Sequence, residues 1–279
     1  YQLPTIVMKF KMQHIESLLK KGVSLIMNLN ISSQTLAWSF LLVCIGIFIS
    51  YKEKIGTVKE IIYSVTRAVI QLVIVGYVLT YFFNLNNDLV TLALVMVIGF
   101  NASWNAAKRS QGLESGLMIS IIAIFTSLSL SLGILIISNS VLFIPSQVVP
   151  ISGMIAGNAM TALGLTYRNL NNLYRDQRQQ IEEKLALGAT PKQASKTIIN
   201  ETIRLGMQPT LDSAKTIGIV SLPGMMSGLM FAGTMPLTAI MYQIMVTFML
   251  IATTSISSYV ASFLAYKEFF SESQQLLIS

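Results

Sequence analysis

Ile181 to Ala194 reads I-E-E-K-L-A-L-G-A-T-P-K-Q-A and lies within a long polar segment of an otherwise lipid-soluble chain. Its adjacent carboxylates Glu182 and Glu183, its small residues Ala186, Gly188 and Ala189, and the pair Thr190-Pro191 make a charged, sharply turning element on which a soluble partner could push. Other chemistry is sparse. Asp88 and Asp212 stand at the ends of apolar runs, His14 is the one histidine, and Cys44 is a lone cysteine inside an apolar run, with no second thiol for an internal disulfide. A carrier driven by protons or sodium places a costly ionisable group near the bilayer midplane, and the apolar runs offer essentially none. No G-x-x-x-x-G-K-[ST] loop for nucleotide phosphates occurs either, so energy for active transport would enter from another polypeptide.

The elements that hold the polar segment are apolar. With 53% hydrophobic and 11% charged residues and a mean hydropathy of +0.65, the chain reads as an all-α polytopic membrane bundle. Long continuous apolar runs, not short alternating ones, exclude a β-barrel. Seven spans are predicted: Ser33–Ser50, Val65–Phe83, Leu89–Ala106, Gly116–Ile137, Val148–Tyr167, Ala214–Gly233 and Leu237–Tyr266. Residues 33–267 then form the transmembrane domain, 168–212 a cytoplasmic helical coupling segment within it, and 268–279 a cytoplasmic tail.

Basic residues orient it. Lys52, Lys54 and Lys59, then Lys108 and Arg109, then seven Lys and Arg from Arg168 to Arg204, then Lys267 mark alternate connections, and the connections between carry none. The positive-inside rule places the coupling segment and the C-terminus in the cytoplasm. Topology thus accounts for the net charge of +7 without nucleic acid. Residues 1–32 fit less well, because Lys9, Lys11, Lys20 and Lys21 precede the first span on its outer side. Two readings stand: an upstream extension with Met27 as the natural start, or an interfacial amphipathic helix on Ile15, Leu18, Leu19 and Val23.

Within the coupling segment, Asp176–Leu187 predicts a helix stopped by Gly188, the residue able to take the left-handed conformation. Thr190 then caps a second helix with Pro191 at its first position. An ordinary helical hairpin would explain that corner as well. The fifth and sixth spans are interrupted alike, by Pro150 with Gly153, Met154 and Gly157, and by Pro223 with Gly224, Met225, Met226 and Gly228. Such pairs point to a transport pathway or to plain helix packing. Asn101, Asn105, Asn158 and Gln243 are the amides available to that pathway, and with the thioethers they make no high-affinity metal site. Arg67, near the start of the second span, would snorkel to headgroups or pair with Asp212 or a partner protein.

The polar segment resembles the coupling motif of ATP-binding cassette permeases, with Glu182, Glu183, Ala186, Gly188 and Ala189 on the matching positions. The I-x-L-P ending of many importers is missing after Ile198. R-A-V-I-Q-L-V-I-V-G-Y at Arg67–Tyr77, F-N-A-S-W-N-A at Phe100–Ala106, P-I-S-G-M-I-A-G-N-A-M at Pro150–Met160, D-S-A-K-T-I-G-I-V-S-L-P-G-M-M-S-G at Asp212–Gly228 and Y-Q-I-M-V-T-F-M at Tyr242–Met249 extend the likeness. Together they resemble the FetB family, permease subunits of bacterial iron-export systems with plant relatives in aluminium tolerance. That resemblance implies an inner-membrane permease with ATP and magnesium on a separate FetA-like ATPase, and a single coupling segment per chain then implies a homodimer to serve a two-ATPase motor. Residue chemistry alone leaves a stand-alone carrier or channel, a permease for another substrate, and a non-transporting scaffold as alternatives.

Overall fold

The computed structural model describes residues 33–83, 87–110 and 112–277. His14, Met27 and the choice between an extension and an interfacial helix fall outside the described residues. The regular structure is helical: α1 (Ser33–Lys52), α2 (Val58–Phe83), α3 (Asp88–Ala107), α4 (Gly116–Ile137), α5 (Pro145–Asp176), α6 (Arg178–Ala186), α7 (Pro191–Thr216), α8 (Gly224–Phe231) and α9 (Pro236–Ala265), which closes in a 3-10 turn, Tyr266–Phe269. Among the described residues six helices, α1 to α5 and α9, are long and apolar enough to cross a membrane. The chain divides into two compact units, residues up to Tyr81 with Pro223–Gln243, and Phe82–Leu222 with the residues from Ile244 on.

The larger unit is organised around α5, which packs along α3, α4 and α7. Its buried positions, Val148, Ser152, Ile155, Ala159, Ala162, Leu163, Thr166, Leu170 and Tyr174, recur every three or four residues and form one continuous face. α3 presents Thr91, Val95, Gly99, Ala102, Ser103 and Ala106, a seam of small residues that lets backbones approach. At Gly99 a Cβ would stand 2.9 Å from the Phe125 ring of α4. Hydroxyls join the helices: Ser120 of α4 and Tyr167 of α5 are 2.8 Å apart, and Ser131 of α4 and Thr253 of α9 are 3.1 Å apart.

The predicted span Ala214–Gly233 is not one helix. α7 ends at Thr216, and Gly218 takes a left-handed φ of 84°. Ile217 and Ser221 form an isolated bridge, and α8 starts only at Gly224. An apolar run cannot report such a break. Leu222 is pushed out of helical space by the proline after it, and Pro223, at φ −60° and ψ 145°, caps α8 where its missing N–H costs nothing. Pro223 therefore interrupts no helix; it precedes α8. The prolines inside helices are Pro150 and Pro209. Pro150 lies beyond the first turn of α5, because the helix begins at Pro145, ahead of the predicted start at Val148.

Candidate functional site

The corner after α6 is built by its residues in sequence. Ile181 is buried and seats the helix, while Glu182, Glu183, Ala186 and Gly188 are exposed. Arg178 pairs with Glu182 at 2.8 Å, and Gln179 donates to Glu183 at 2.9 Å, each one turn apart. Gly188 has φ 88°. Its N–H donates to the Leu185 carbonyl at 2.9 Å, and the Ala189 N–H to the Lys184 carbonyl at 3.0 Å. These two bonds are the Schellman ending, which satisfies carbonyls a helix otherwise leaves open and requires the left-handed residue that glycine supplies. Thr190 then opens α7. Its hydroxyl accepts from the Gln193 N–H at 3.4 Å while the Gln193 side chain accepts from the Thr190 N–H at 2.9 Å, with Pro191 at the first helical position.

The corner presents a residue that the sequence reading passed over. Leu187, directly before Gly188, is 89% exposed, although α6 belongs to none of the apolar spans. The Schellman turn holds this apolar side chain outward at a fixed position beside Glu182, Glu183 and Gly188.

The end of the chain braces the corner from behind. Tyr174, at the end of α5, stacks on Phe269 with centroids 4.1 Å apart and planes 6° apart, and meets Phe270 edge-on at 6.1 Å. Lys192 lies 5.1 Å from the ring centre of Phe263. Residues 269–277 fold back on themselves, the Leu277 N–H donating to the Phe269 carbonyl at 2.9 Å. Between corner and tail a cavity of about 340 Å³ is lined by Thr190, Pro191, Lys192, Tyr266, Phe270 and Ser271, among others. The signal for this brace is Tyr266 at the end of the last predicted span with Phe269 and Phe270 after it, but the sequence does not say that Tyr174 is their partner.

The expected pathway residues belong to different helices, α3, α5, α8 and α9. On α3, Asn105 donates to both the backbone carbonyl and the side-chain oxygen of Asn101, at 2.8 and 2.7 Å. On α5, Asn158 donates to the Met154 carbonyl at 2.8 Å, and Gly153 is exposed. Pro223, Gly224, Met225 and Met226 form the start of α8, and Gln243 is a buried residue of α9. The glycines expected to allow close approach, Gly153, Gly157, Gly224 and Gly228, have no atom within 4 Å of where a Cβ would stand. Tight approach occurs instead at Gly99, Gly116, Gly164 and Gly206. Arg67 lies well inside α2, which starts at Val58. The Asp212 carboxylate is occupied by Gln208 at 3.0 Å and Lys215 at 3.0 Å. Among the described residues no group of three His, Cys, Asp or Glu could hold a metal ion.

Apolar helices of membrane-crossing length, joined by short connections and carrying a braced helical corner outside the spans, define a polytopic α-helical membrane protein. Residues 33–270 match the model of the Uncharacterised protein family (UPF0014), and the chain belongs to that family. It is 53% identical over 250 residues to the Escherichia coli "Probable iron export permease protein FetB", covering 90% of this chain and 96% of that one. It is 34% identical over 241 residues to the Arabidopsis thaliana "Protein ALUMINUM SENSITIVE 3", covering 86% and 88% of the two chains. With the Bacillus subtilis "UPF0014 membrane protein YjkA" the identity is 33% over 242 residues, covering 87% and 97%. No solved structure matches the chain.

Proposed function

We propose that this protein is the permease subunit of an ATP-driven iron exporter of the bacterial inner membrane, powered by a separate ATPase that docks on the Glu182–Pro191 corner. The carrying observation is that corner: a Schellman turn fixed by Gly188, presenting Leu187 to water and braced from behind by Tyr174, Phe269 and Phe270. A surface built to be pushed must be rigid, and a turn closed by paired hydrogen bonds and an aromatic stack meets that need. The corner and the C-terminal turn pack together, which supports one side of the membrane for both, and the distribution of basic residues supports the cytoplasm as that side. ATP and magnesium belong to the ATPase. A single corner per chain serves a two-ATPase motor when two permeases pair. The FetB relative, named for iron export, supports iron as the cargo.

The test is iron efflux into inside-out vesicles bearing the permease with and without its ATPase. Flux that requires both chains and ATP supports the reading, whereas equal flux without the ATPase makes the chain a stand-alone carrier or channel. Gly188→Val should abolish ATP-driven flux while leaving the protein inserted, because a β-branched residue resists the φ of 88° that the corner needs. ATPase pull-down with that variant reads the docking step, and undiminished binding and flux would remove the corner from the mechanism.

A further inference from the structure

α7 starts at the corner and has two unlike faces. One, made of Ala194, Ser195, Ile198, Ile199, Thr202 and Gly206, is buried. The other carries Glu201, Arg204, Gln208, Asp212 and Lys215, whose steps of three and four residues keep them in one row. The row is exposed or half-exposed and internally matched: Arg204 to Glu201 at 2.6 Å, Gln208 to both Asp212 oxygens at 3.0 Å, Lys215 to Asp212 at 3.0 Å. Between these residues Pro209 has no N–H to give the carbonyl one turn back, at Leu205.

The depth of this row follows from what the buried face touches. The start of α7 lies beside Tyr266 and Phe270, and Phe270 in turn packs on Tyr174 at the end of α5. Farther along, a Cβ on Gly206 would stand 2.6 Å from the Thr166 hydroxyl of α5 and 2.6 Å from the Ser258 hydroxyl of α9. α7 therefore climbs α5 in the antiparallel sense, wedged between α5 and α9. Thr166 marks a change in α5: after it come Arg168, Asn169, Asn171, Asn172, Arg175 and Asp176, and before it the helix is uncharged and mostly apolar. Asp212 and Lys215 lie six and nine residues beyond Gly206, about 9 and 14 Å farther along the helix axis. They stand level with the apolar part of α5.

Charged groups at that depth are tolerated facing protein or water and are costly facing lipid. The contacts of α7 with α5 and α9 are made by its buried face, about 120° around the helix from this row. We propose that the Glu201–Lys215 face of α7 lines a water-filled vestibule that opens at the corner and reaches into the membrane-crossing part of the chain. Its wall offers a hydrated cation the carboxylates of Glu201 and Asp212, the Gln208 amide and the Leu205 carbonyl. It is a route and not a fixed binding site, since Glu201 and Asp212 are eleven residues apart, about 16 Å along the axis. Its use by cargo rests on the permease reading; the presence of water does not.

The experiment is cysteine accessibility in a Cys44→Ala parent, which removes the only native thiol. Glu201→Cys, Gln208→Cys, Asp212→Cys and Lys215→Cys, with Ile198→Cys as the buried control, are treated in inside-out vesicles. One reagent is a small charged thiosulfonate, and the other a polyethylene-glycol maleimide too bulky for a narrow vestibule. The vestibule predicts that the small reagent reacts along the whole row and not at Ile198→Cys. The small-to-bulky rate ratio should rise about tenfold from Glu201→Cys to Lys215→Cys, as expected for a confined aqueous cavity. Equal reaction with the bulky reagent throughout would make α7 a surface helix and overturn the proposal. No reaction at either Asp212→Cys or Lys215→Cys would place the row against lipid or protein and overturn it equally. Two deep positions are used because each breaks the same exposed ion pair from a different side. Iron flux of the parent is measured separately: a parent without flux but with the labelling gradient counts against the permease reading alone.

Discussion

α2 and α4 are both long and apolar, yet their surroundings differ. Along α2, Val69, Ile70, Leu72, Val73, Ile74 and Tyr77 are exposed, and no position of its membrane-length stretch is buried. α4 buries Ile119, Ser120, Ala123, Ile124, Ser127, Leu128, Ser131, Leu132 and Leu135. In a bilayer an apolar side chain gains nothing from leaving lipid for another helix, so hydrophobicity cannot decide which helix packs. Backbone approach and hydrogen bonds do. α4 meets its neighbours through serines and alanine, and α3 through Gly99, Ala102, Ser103 and Ala106. The exposed face of α2 is dominated by β-branched and aromatic residues that hold other backbones away. Gly46 of α1 and Gly76 of α2 have empty space where a Cβ would stand, whereas at Gly99 the Phe125 ring fills it.

The comparison is broken most forcefully by one substitution made in both settings. Ala159 of α5 is fully buried and Ala68 of α2 is exposed. Ala159→Leu should destabilise the detergent-solubilised protein by about 1–3 kcal/mol through overpacking, while Ala68→Leu should stay within about 0.5 kcal/mol of the parent. Equal losses would mean that α2 is packed in the working protein, with a second copy as the first candidate.

A smaller effect separates hydrogen bonding from packing. Ser120→Ala leaves the buried Tyr167 hydroxyl without its 2.8 Å partner and should cost about 1–3 kcal/mol. In the Ser120→Ala, Tyr167→Phe double variant both hydroxyls are gone, and much of that loss should return. Additive losses in this cycle would show that the serines of α4 act only by being small.

Much of this contrast could be read from residues, and some could not. α4 was bounded correctly because Gly116 and Ile137 enclose an uninterrupted apolar run, and the corner was legible because glycine followed by Thr-Pro specifies local backbone geometry. α5 runs nine residues past its predicted end at Tyr167, since a hydropathy reading stops at Arg168 although Asn, Leu and Arg continue a helix beyond the membrane. The broken stretch after Thr216 was misread for the converse reason: Ile217, Ile219, Val220 and Leu222 are apolar, and only Gly218 and Pro223 betray that they are not helical. The polar row of α7 was hidden by the same error, because a sixth span started at Ala214 leaves Glu201 and Asp212 outside it. Long-range contacts such as Tyr174 on Phe269 carry no local signal at all.

The smallest predicted effect sharpens the comparison by its sign. A glycine inside a helix costs backbone entropy that alanine does not, so Gly→Ala stabilises wherever the added methyl finds room. Gly76 has nothing within 4 Å, and Gly76→Ala should raise stability by about 0.4–1 kcal/mol. At Gly99 the methyl would press on the Phe125 ring at 2.9 Å and on Leu128 at 3.1 Å, so the same gain is offset and Gly99→Ala should be neutral or destabilising. Both variants are read by thermal unfolding in one detergent, with α-helical content as the signal. A stabilising Gly99→Ala would mean that Phe125 yields freely and the α3–α4 seam is looser than its spacing suggests. A destabilising Gly76→Ala would mean that another backbone comes close to α2 there, as helix pairing through a glycine would require.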